Sequence, residues 1–394
     1  MLKQIARKLR IGHARLTSPP DDTFAGQWTG IAEDQSPVIL DLDDGDPIVR
    51  GTGRVHFAET PGVLSEFQVQ RRATECTLEN LQLLWIPADA AGVLNTADAR
   101  AARPDVTFPE KATVHLKRTG DTVEMTWETS IGTAGNVKLH RTPGDIESTV
   151  PAMEIDTWAK FKDWALQQTP QTFIFRGQPE NYRLRTAFHR TYRKDLLKYA
   201  IDDIPIAHKQ LTAQTNHLFD LNDAAQRGAF WNLLQHHGYP TPLLDWTYSP
   251  FVAAFFAYRR RQAINAPSDK VRIFALDRDS WAHMPQFDKP NLVRLHFSIL
   301  NALAIENRRA IPQQALSTLT NADHIEGYIQ SVEALHKRRY LYAIDLPATL
   351  RPQVMAELSL MGITAGSLFP GLDGTCEELR GRMFHHQLPP ITGV

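Results

Sequence analysis

Cysteine is nearly absent from this chain of 394 residues: only Cys76 and Cys376 occur, 300 positions apart and without a CxxC or His-spaced companion. That pattern supports neither a disulfide scaffold nor a Cys-based zinc site, and it suits a reducing, cytoplasmic setting. Net charge is lacking too. With 43 Lys+Arg against 44 Asp+Glu, nothing in the overall balance argues for a polyanionic partner. Long apolar runs are missing: the longest, Phe251 to Ala257, is far short of the roughly 18 residues a membrane span needs and suits a buried helix. The stretch Met1 to Leu16 carries Lys3, Arg7, Lys8, Arg10 and Arg15 but no apolar centre of the signal-peptide kind. It reads as a frayed or packed terminal helix, with a basic helix that visits a membrane or RNA as the alternative. What is present is apolar material, 42% hydrophobic against 22% charged residues, which is enough for more than one core. The length suits two or three domains.

From Thr23 to about Arg141 the apolar residues come in short alternating runs punctuated by Gly, Pro and Asp, which predicts an all-β region. Val38–Leu42 and Ile48–Gly51 flank the turn residues 43–47 as a hairpin. Further strands are expected near Gly53–Phe57, Leu64–Gln70, Leu81–Ile86, Thr113–Lys117, Val123–Trp127 and Asn136–His140, spaced as in a small barrel or sandwich. The opening Phe24–Gly30 resembles the first strand of a closed up-and-down barrel. Pro143 and Gly144 mark a boundary, after which helical and strand patterns mix. Helices are predicted over Ile155–Gln168, Pro205–Phe219, Ala224–His237, Phe251–Arg261 and Pro352–Met361, and strands over Thr172–Phe175, Val271–Asp277 and Tyr340–Leu346. The expected architecture is α+β: a basic segment over 1–22, a β-rich barrel or sandwich over 23–143, and a mixed α/β domain over 151–394.

Two stretches carry chemistry. In Phe173-Ile174-Phe175-Arg176-Gly177-Gln178 an apolar strand ends in an arginine, whose planar fork suits phosphate or carboxylate, beside a glycine that allows close approach. The plain alternative is an arginine bonded to nearby carbonyls. In the second stretch, Phe230 to Phe251, a helix is expected to end at His237, with Gly238 as a left-handed cap and Pro240 preventing continuation. The next helix should begin at Pro250 with Ser249 as its N-cap. Between the two lies a loop bearing Asp245, Trp246 and Thr247, directly before a helix N-terminus that attracts anions. Here the plain alternatives are that Asp245 and Thr247 close a turn and that Trp246 belongs to the core. A metal on His236 and His237 is not expected, because neighbouring helix positions diverge by about 100° and no further His or acid pair completes a ligand set. Arg259-Arg260-Arg261 reads first as a helix terminus complementing the dipole.

Phe175-Arg176-Gly177-Gln178 followed by Gln235-His236-His237-Gly238-Tyr239-Pro240-Thr241-Pro242-Leu243-Leu244-Asp245-Trp246-Thr247 resembles the FRG domain, a bacterial family named for its aromatic-Arg-Gly motif. The resemblance spans about Phe173 to Leu319. Asn307 to Ser317 looks like the family's third block, with Ala315 where Gly is expected, Ser317 where Phe is expected, and Pro242 in the second block where Arg is usual. Ser367 to Gly374 also follows the family's ending. The motif order resembles that of mono-ADP-ribosyltransferases. The resemblance thus implies NAD as cofactor, with Arg176 on its pyrophosphate, Thr247 and Asp245 at the nicotinamide pocket and Gln314 near the third motif. Gly177, Gln178, His236 and Ser249 complete the implied cofactor contacts. No Glu-x-Glu or Gln-x-Glu stands near Gln314, so Glu306 and Asp245 are the nearest candidate acids for the ribose.

Three function classes follow. The first is an NAD-using ADP-ribosyltransferase-like effector, a toxin or defence protein modifying a macromolecule, with the β-region selecting or sensing the target. The second is a catalytically silent module that holds a phosphate-bearing ligand with the same residues. The third is single-strand nucleic-acid binding through Arg190, Arg193 and Lys194 interleaved with Tyr182 and Tyr192, against which the balanced charge and the absence of a long basic stripe both argue.

Overall fold

The computed structural model describes residues 22–57, 61–87, 93–144, 147–259, 269–286 and 294–384. The basic segment read at the N-terminus, Asp145, and Arg260 with Arg261 lie outside these. No helix of the described residues is long and apolar enough to cross a membrane. The fold is α+β, and the chain divides into two compact units. One takes the described residues up to Gly144 together with Ala187–Asp202 and Arg294; the other takes the remainder.

The first unit is a nearly closed, barrel-like antiparallel sheet of nine strands: β1 Gly26–Ile31, β2 Pro37–Asp43, β3 Ile48–Val55, β4 Gly62–Gln70, β5 Glu75–Gln82, β6 Leu84–Ile86, β7 Lys111–Thr119, β8 Thr122–Thr129 and β9 Ala134–Arg141. They run in the order β5-β7-β8-β9-β1-β2-β3-β4-β6. Alternation sets the two faces, since successive side chains of a strand point to opposite sides. Along β7, for example, Ala112, Val114 and Leu116 join the core while Thr113 and Lys117 face outward. Closure comes from one stretch changing partners. β5 pairs with β7, and β6, two residues on, pairs with β4 at the opposite edge; Ser65 Oγ donates to the Gln82 carbonyl at 2.6 Å beside this switch. The expected break between Gly51 and Gly53 does not occur, because both glycines lie within β3. A Cβ at Gly51 would meet the Asp41 carbonyl oxygen at 1.8 Å, so this glycine serves close strand approach and not a turn. The polar strand β5 and helix α1 (Thr96–Ala102), capped by Asn95, were not anticipated.

The outer face of β1–β3 carries Gln27, Asp41 and Arg54, all buried. Arg54 Nη2 donates to Asp41 Oδ2, and Gln27 Nε2 to Asp41 Oδ1 at 2.7 Å. Residues Ala187–Asp202 belong to this same unit. Asp43 accepts hydrogen bonds from Arg193 Nε at 2.6 Å, from the Asp195 N–H at 2.9 Å and from the Lys194 N–H. Leu197 packs with Leu64 and Ile86. Of the cations once grouped for single strands, Arg193 is therefore ion-paired, and Lys194 is buried with its Nζ on the carbonyls of His189 and Thr191.

The second unit is built on a six-stranded antiparallel sheet of order β13-β14-β11-β10-β12-β15. Its strands are β10 Phe173–Gln178, β11 Leu243–Thr247, β12 Lys270–Asp277, β13 Phe297–Leu300, β14 Ala315–Thr320 and β15 Leu341–Pro347. Around it pack α2 (Trp158–Gln167), α3 (Ile204–Leu211), α4 (Ala224–His236), α5 (Pro250–Arg259), α6 (Ile325–His336), α7 (Arg351–Leu360) and α8 (Leu372–Phe384). One core, on the side of α2, α5 and α7, contains Phe161, Phe175, Ala253, Ile273 and Val354; another contains Ile174, Leu244, Trp246, Phe274 and Ile329. Two expectations are corrected here. Leu243–Thr247, read as part of a loop, is an interior strand, and Pro205–Phe219 is helical only as far as Leu211. Asp245 and Thr247 suggested turn chemistry, but Leu244 and Trp246 alternate into the core and hold the segment extended. The strands β13 and β14 and helix α6 were not foreseen.

Candidate functional site

The strands β10 and β11 pair at one position only, Phe175 opposite Thr247. Beyond that pair they part, and a backbone carbonyl there needs a donor from elsewhere. Arg176 supplies it: Nη1 donates to the Asp245 carbonyl at 2.6 Å. The plain reading of this arginine, a partner for nearby carbonyls, is thus realised at the edge of a cavity. Gly177 follows for a steric reason, since a Cβ there would lie 1.8 Å from the Ala253 carbonyl oxygen. Its freedom serves the close packing of α5 on β10.

The cavity has a volume of about 470 Å³, and Arg176, His236, Asp245, Arg259, Arg309 and Phe369 are among its lining residues. Besides β10 and β11, it is shaped by the end of α4, by α5, by the end of β13 and the start of β14 with the chain between them, and by Phe369. Helix α4 ends at His236, with the expected last residue His237 as its C-cap and Gly238 at φ +86°. Its last turn brings Gln235 to the cavity wall, where Nε2 donates to Asp245 Oδ1 while Oε1 accepts from Thr241 Oγ1. Asn232 Oδ1 accepts from Ser317 Oγ at 2.8 Å. These bonds fix one carboxylate oxygen of Asp245; no hydrogen bond among the described residues reaches the other.

Cations outnumber acids on the wall. Arg259 is neutralised by Glu377 through a two-point ion pair, with Nε to Oε1 at 2.6 Å. Arg309 has no carboxylate within ion-pair distance among the described residues; its guanidinium lies 5.1 Å from the Phe369 ring centroid, and that of Arg259 lies 3.8 Å from it. Burial and the neighbouring Arg259 hold the Arg309 pKa below its ordinary value, partly offset by Asp373. His236 is likewise pushed down by burial, then by Arg309 and His237, with Asp245 opposing. An anion entering this space would relieve each of these penalties.

The structure brings Arg176, Gly177, His236, Asp245 and Thr247 to one cavity and leaves Gln178, Ser249, Gln314 and Glu306 off its wall. Thr247 is 4% exposed, and its hydroxyl donates to the Gln313 carbonyl at 2.7 Å while accepting from the Ser249 N–H at 3.0 Å. Ser249 caps α5 through its bond from Val252 N–H at 3.2 Å. Glu306 accepts the N–H groups of Asn216 and His217 at 2.6 and 2.9 Å. Gln178 donates to the Tyr182 carbonyl at 2.6 Å, and Gln314 accepts from the Tyr248 N–H through its own backbone carbonyl. Arg309 and Gln313 were missed although they lie in the third block; their neighbours Glu306 and Gln314 drew attention through motif analogy. Phe369, in the Leu-Phe-Pro-Gly run, completes the wall.

Fold and site together define an α+β protein with a barrel-like unit and a cation-lined cavity in a sheet-and-helix unit. Residues 171–266 match the model of the FRG domain, so this stretch of the chain is identified as an FRG domain. The match takes in the blocks at Phe175–Gln178 and Gln235–Thr247 and ends before Asn307. Among solved structures, a redesigned beta barrel is similar over 31% of this chain and 93% of its own, at 11% identity and a TM-score of 0.20. No curated protein matches the chain.

Proposed function

We propose that the cavity of the FRG-bearing unit recognises a phosphate-bearing nucleotide, with NAD as the ligand that its motif order favours. The carrying observation is Arg309, a half-buried guanidinium without a carboxylate partner among the described residues, on the same wall as Arg176. A cation kept partly out of water has lost hydration that an anionic ligand restores. Phe369 and Phe256 add apolar surface to the wall, as a ring-bearing ligand requires.

Asp245 favours a second reading, ADP-ribosyl transfer. It is the sole carboxylate among the lining residues, and its Oδ2 is open to a ribose hydroxyl while Gln235 holds Oδ1. In that reading Asp245 stabilises the oxocarbenium-like ribose as nicotinamide leaves, and the protein acts as an effector on a macromolecular acceptor. Glu306 is engaged by two backbone N–H groups and does not serve there.

Calorimetric titration with NAD, repeated with Arg309→Ala and Arg176→Ala, tests binding. Saturable binding weakened about tenfold or more by Arg309→Ala is the expected result, since hydrogen bonds to a charged group are worth ~1.5–3 kcal/mol. No heat with NAD, ADP-ribose or pyrophosphate would overturn the reading. Incubation with labelled NAD then separates the two classes: nicotinamide release abolished by Asp245→Asn supports turnover, and binding without release supports the silent module.

A further inference from the structure

We propose that the interior of the barrel-like unit is a binding site for a small, uncharged, predominantly apolar molecule. The inside of the nine-stranded sheet is incompletely filled: a cavity of about 350 Å³ remains, with Leu40, Phe67, Leu83, Val114, Met125 and Trp127 on its wall. Protein cores pack nearly as densely as organic crystals and leave few voids larger than a water molecule. A sheet of this size closed on itself has room for one small ligand.

Topology shows which end is open. At one end the chain entering β1 forms a plug: Phe24 and Trp28 are fully buried, and the Trp28 Nε1 donates to the Phe24 carbonyl at 2.7 Å. The guanidinium of Arg141, at the end of β9, lies 4.4 Å from the Trp28 ring, and that of Arg118 lies 5.7 Å from the Phe24 ring. The cavity wall extends toward the opposite end, to Phe57, Pro109, Ile131 and Thr133, where the β3–β4, β7 and β8–β9 boundaries gather. Ile131, 45% exposed, is an apolar side chain on the cavity wall that water reaches, as expected at a mouth.

The charge inventory selects the ligand class. Two charged residues border the space. Arg54 alternates with the core residue Val55 and therefore points to the outer face, where it pairs with Asp41. Asp34 uses its carboxylate to accept the Ser36 N–H at 3.0 Å. The hydroxyls of Thr129 and Thr133 bond one another at 2.5 Å. Among the described residues that line the cavity no cation points inward, Arg118 facing inward only at the plugged end beside Phe24, so a carboxylate or phosphate buried here would go uncompensated. The phosphate chemistry proposed for the other unit is thus excluded from this cavity.

The test uses the full chain and the neutral probe N-phenyl-1-naphthylamine, following probe emission on tryptophan excitation. Trp127 lies on the wall, its indole held where a Cβ at Gly135 would come within 2.3 Å. Saturable one-site binding is expected, with energy transfer reduced in Trp127→Phe and affinity at least tenfold lower in the cavity-filling Ala112→Trp. Arg309→Ala should leave the affinity unchanged. Absence of saturation, or binding indifferent to both barrel variants, would overturn the proposal. If Ala112→Trp does not fold, the Trp127→Phe transfer signal decides alone. A probe displaced by NAD or lost in Arg309→Ala would lie in the other unit and would equally overturn it.

Discussion

His236 sits where four influences meet, of which only Asp245 favours its protonation, and their sum predicts a pH dependence. Burial, Arg309 and His237 all oppose its protonation, so its pKa falls below the ordinary 6.5 and the ring is neutral at pH 7. An anion beside it favours the charged ring and raises the pKa in the complex. Binding therefore takes up a proton in the window between the free and bound values, and affinity rises as pH falls through it. Sulfate, whose charge is constant over pH 6–8, should bind more tightly at pH 6 than at pH 8. His236→Gln should flatten that slope in a titration; an unchanged slope would assign it to another group. Without ligand the sign reverses for stability: the unfolded chain takes the proton at higher pH, so His236 lowers stability as pH drops below 6.5. The buried pair Arg54–Asp41 makes a different residue-scale case. Arg54→Met strands a buried carboxylate with only the Gln27 amide, and the expected loss is about 3–5 kcal/mol in urea denaturation. Replacing Asp41 by Leu as well should recover most of it, because an apolar pair needs no compensation.

At the scale of elements, legibility followed the strength of the local period. Strands such as β4, β7 and β8 alternate between a core face and a more polar face and emerged near their observed positions, while β2, buried throughout Val38–Leu42, emerged from its apolar run. Strand β5, with Glu75, Glu79 and Asn80 among few apolar residues, carries too weak an alternation to stand out. Strand β11 was concealed by its own site chemistry, since Asp245 is polar for the cavity and not for a turn. The glycine of the aromatic-Arg-Gly motif was legible as a close approach, but not what approaches. That is the backbone of α5, which gives an element-scale prediction. Gly177→Ala places a methyl group against the Ala253 carbonyl oxygen and within 2.8 Å of the Ala257 nitrogen, and neither can move without displacing the helix. Loss of about 2–4 kcal/mol is expected, at or above the usual cost of overpacking, with the Arg176 contact and ligand binding disturbed together. A variant with wild-type melting temperature would show that α5 yields more easily than its buried residues indicate.

At the scale of the whole molecule, the chain's order and its compact units do not coincide, because residues 187–202 lie within the FRG-matched sequence yet belong to the barrel-like unit. Two features explain the arrangement. The outer face of β1–β3 buries Gln27, Asp41, Thr52 and Arg54, a polar set whose desolvation is tolerable only while it stays paired. Asp43 finds its donors in Arg193, Lys194 and Asp195, while Leu197 covers Leu64 and Ile86. A fragment of residues 22–144 therefore keeps every strand of the barrel but loses the donors to Asp43 and the apolar cover at Leu64. It should unfold at lower denaturant concentration than the barrel signal of the full chain. Joining residues 187–202 to it through a flexible linker should raise the midpoint again, and Asp43→Ala in the joined version should cancel the gain. Equal midpoints with and without the segment would mean that it rides on the sheet without stabilising it, and that the barrel stands on its own core.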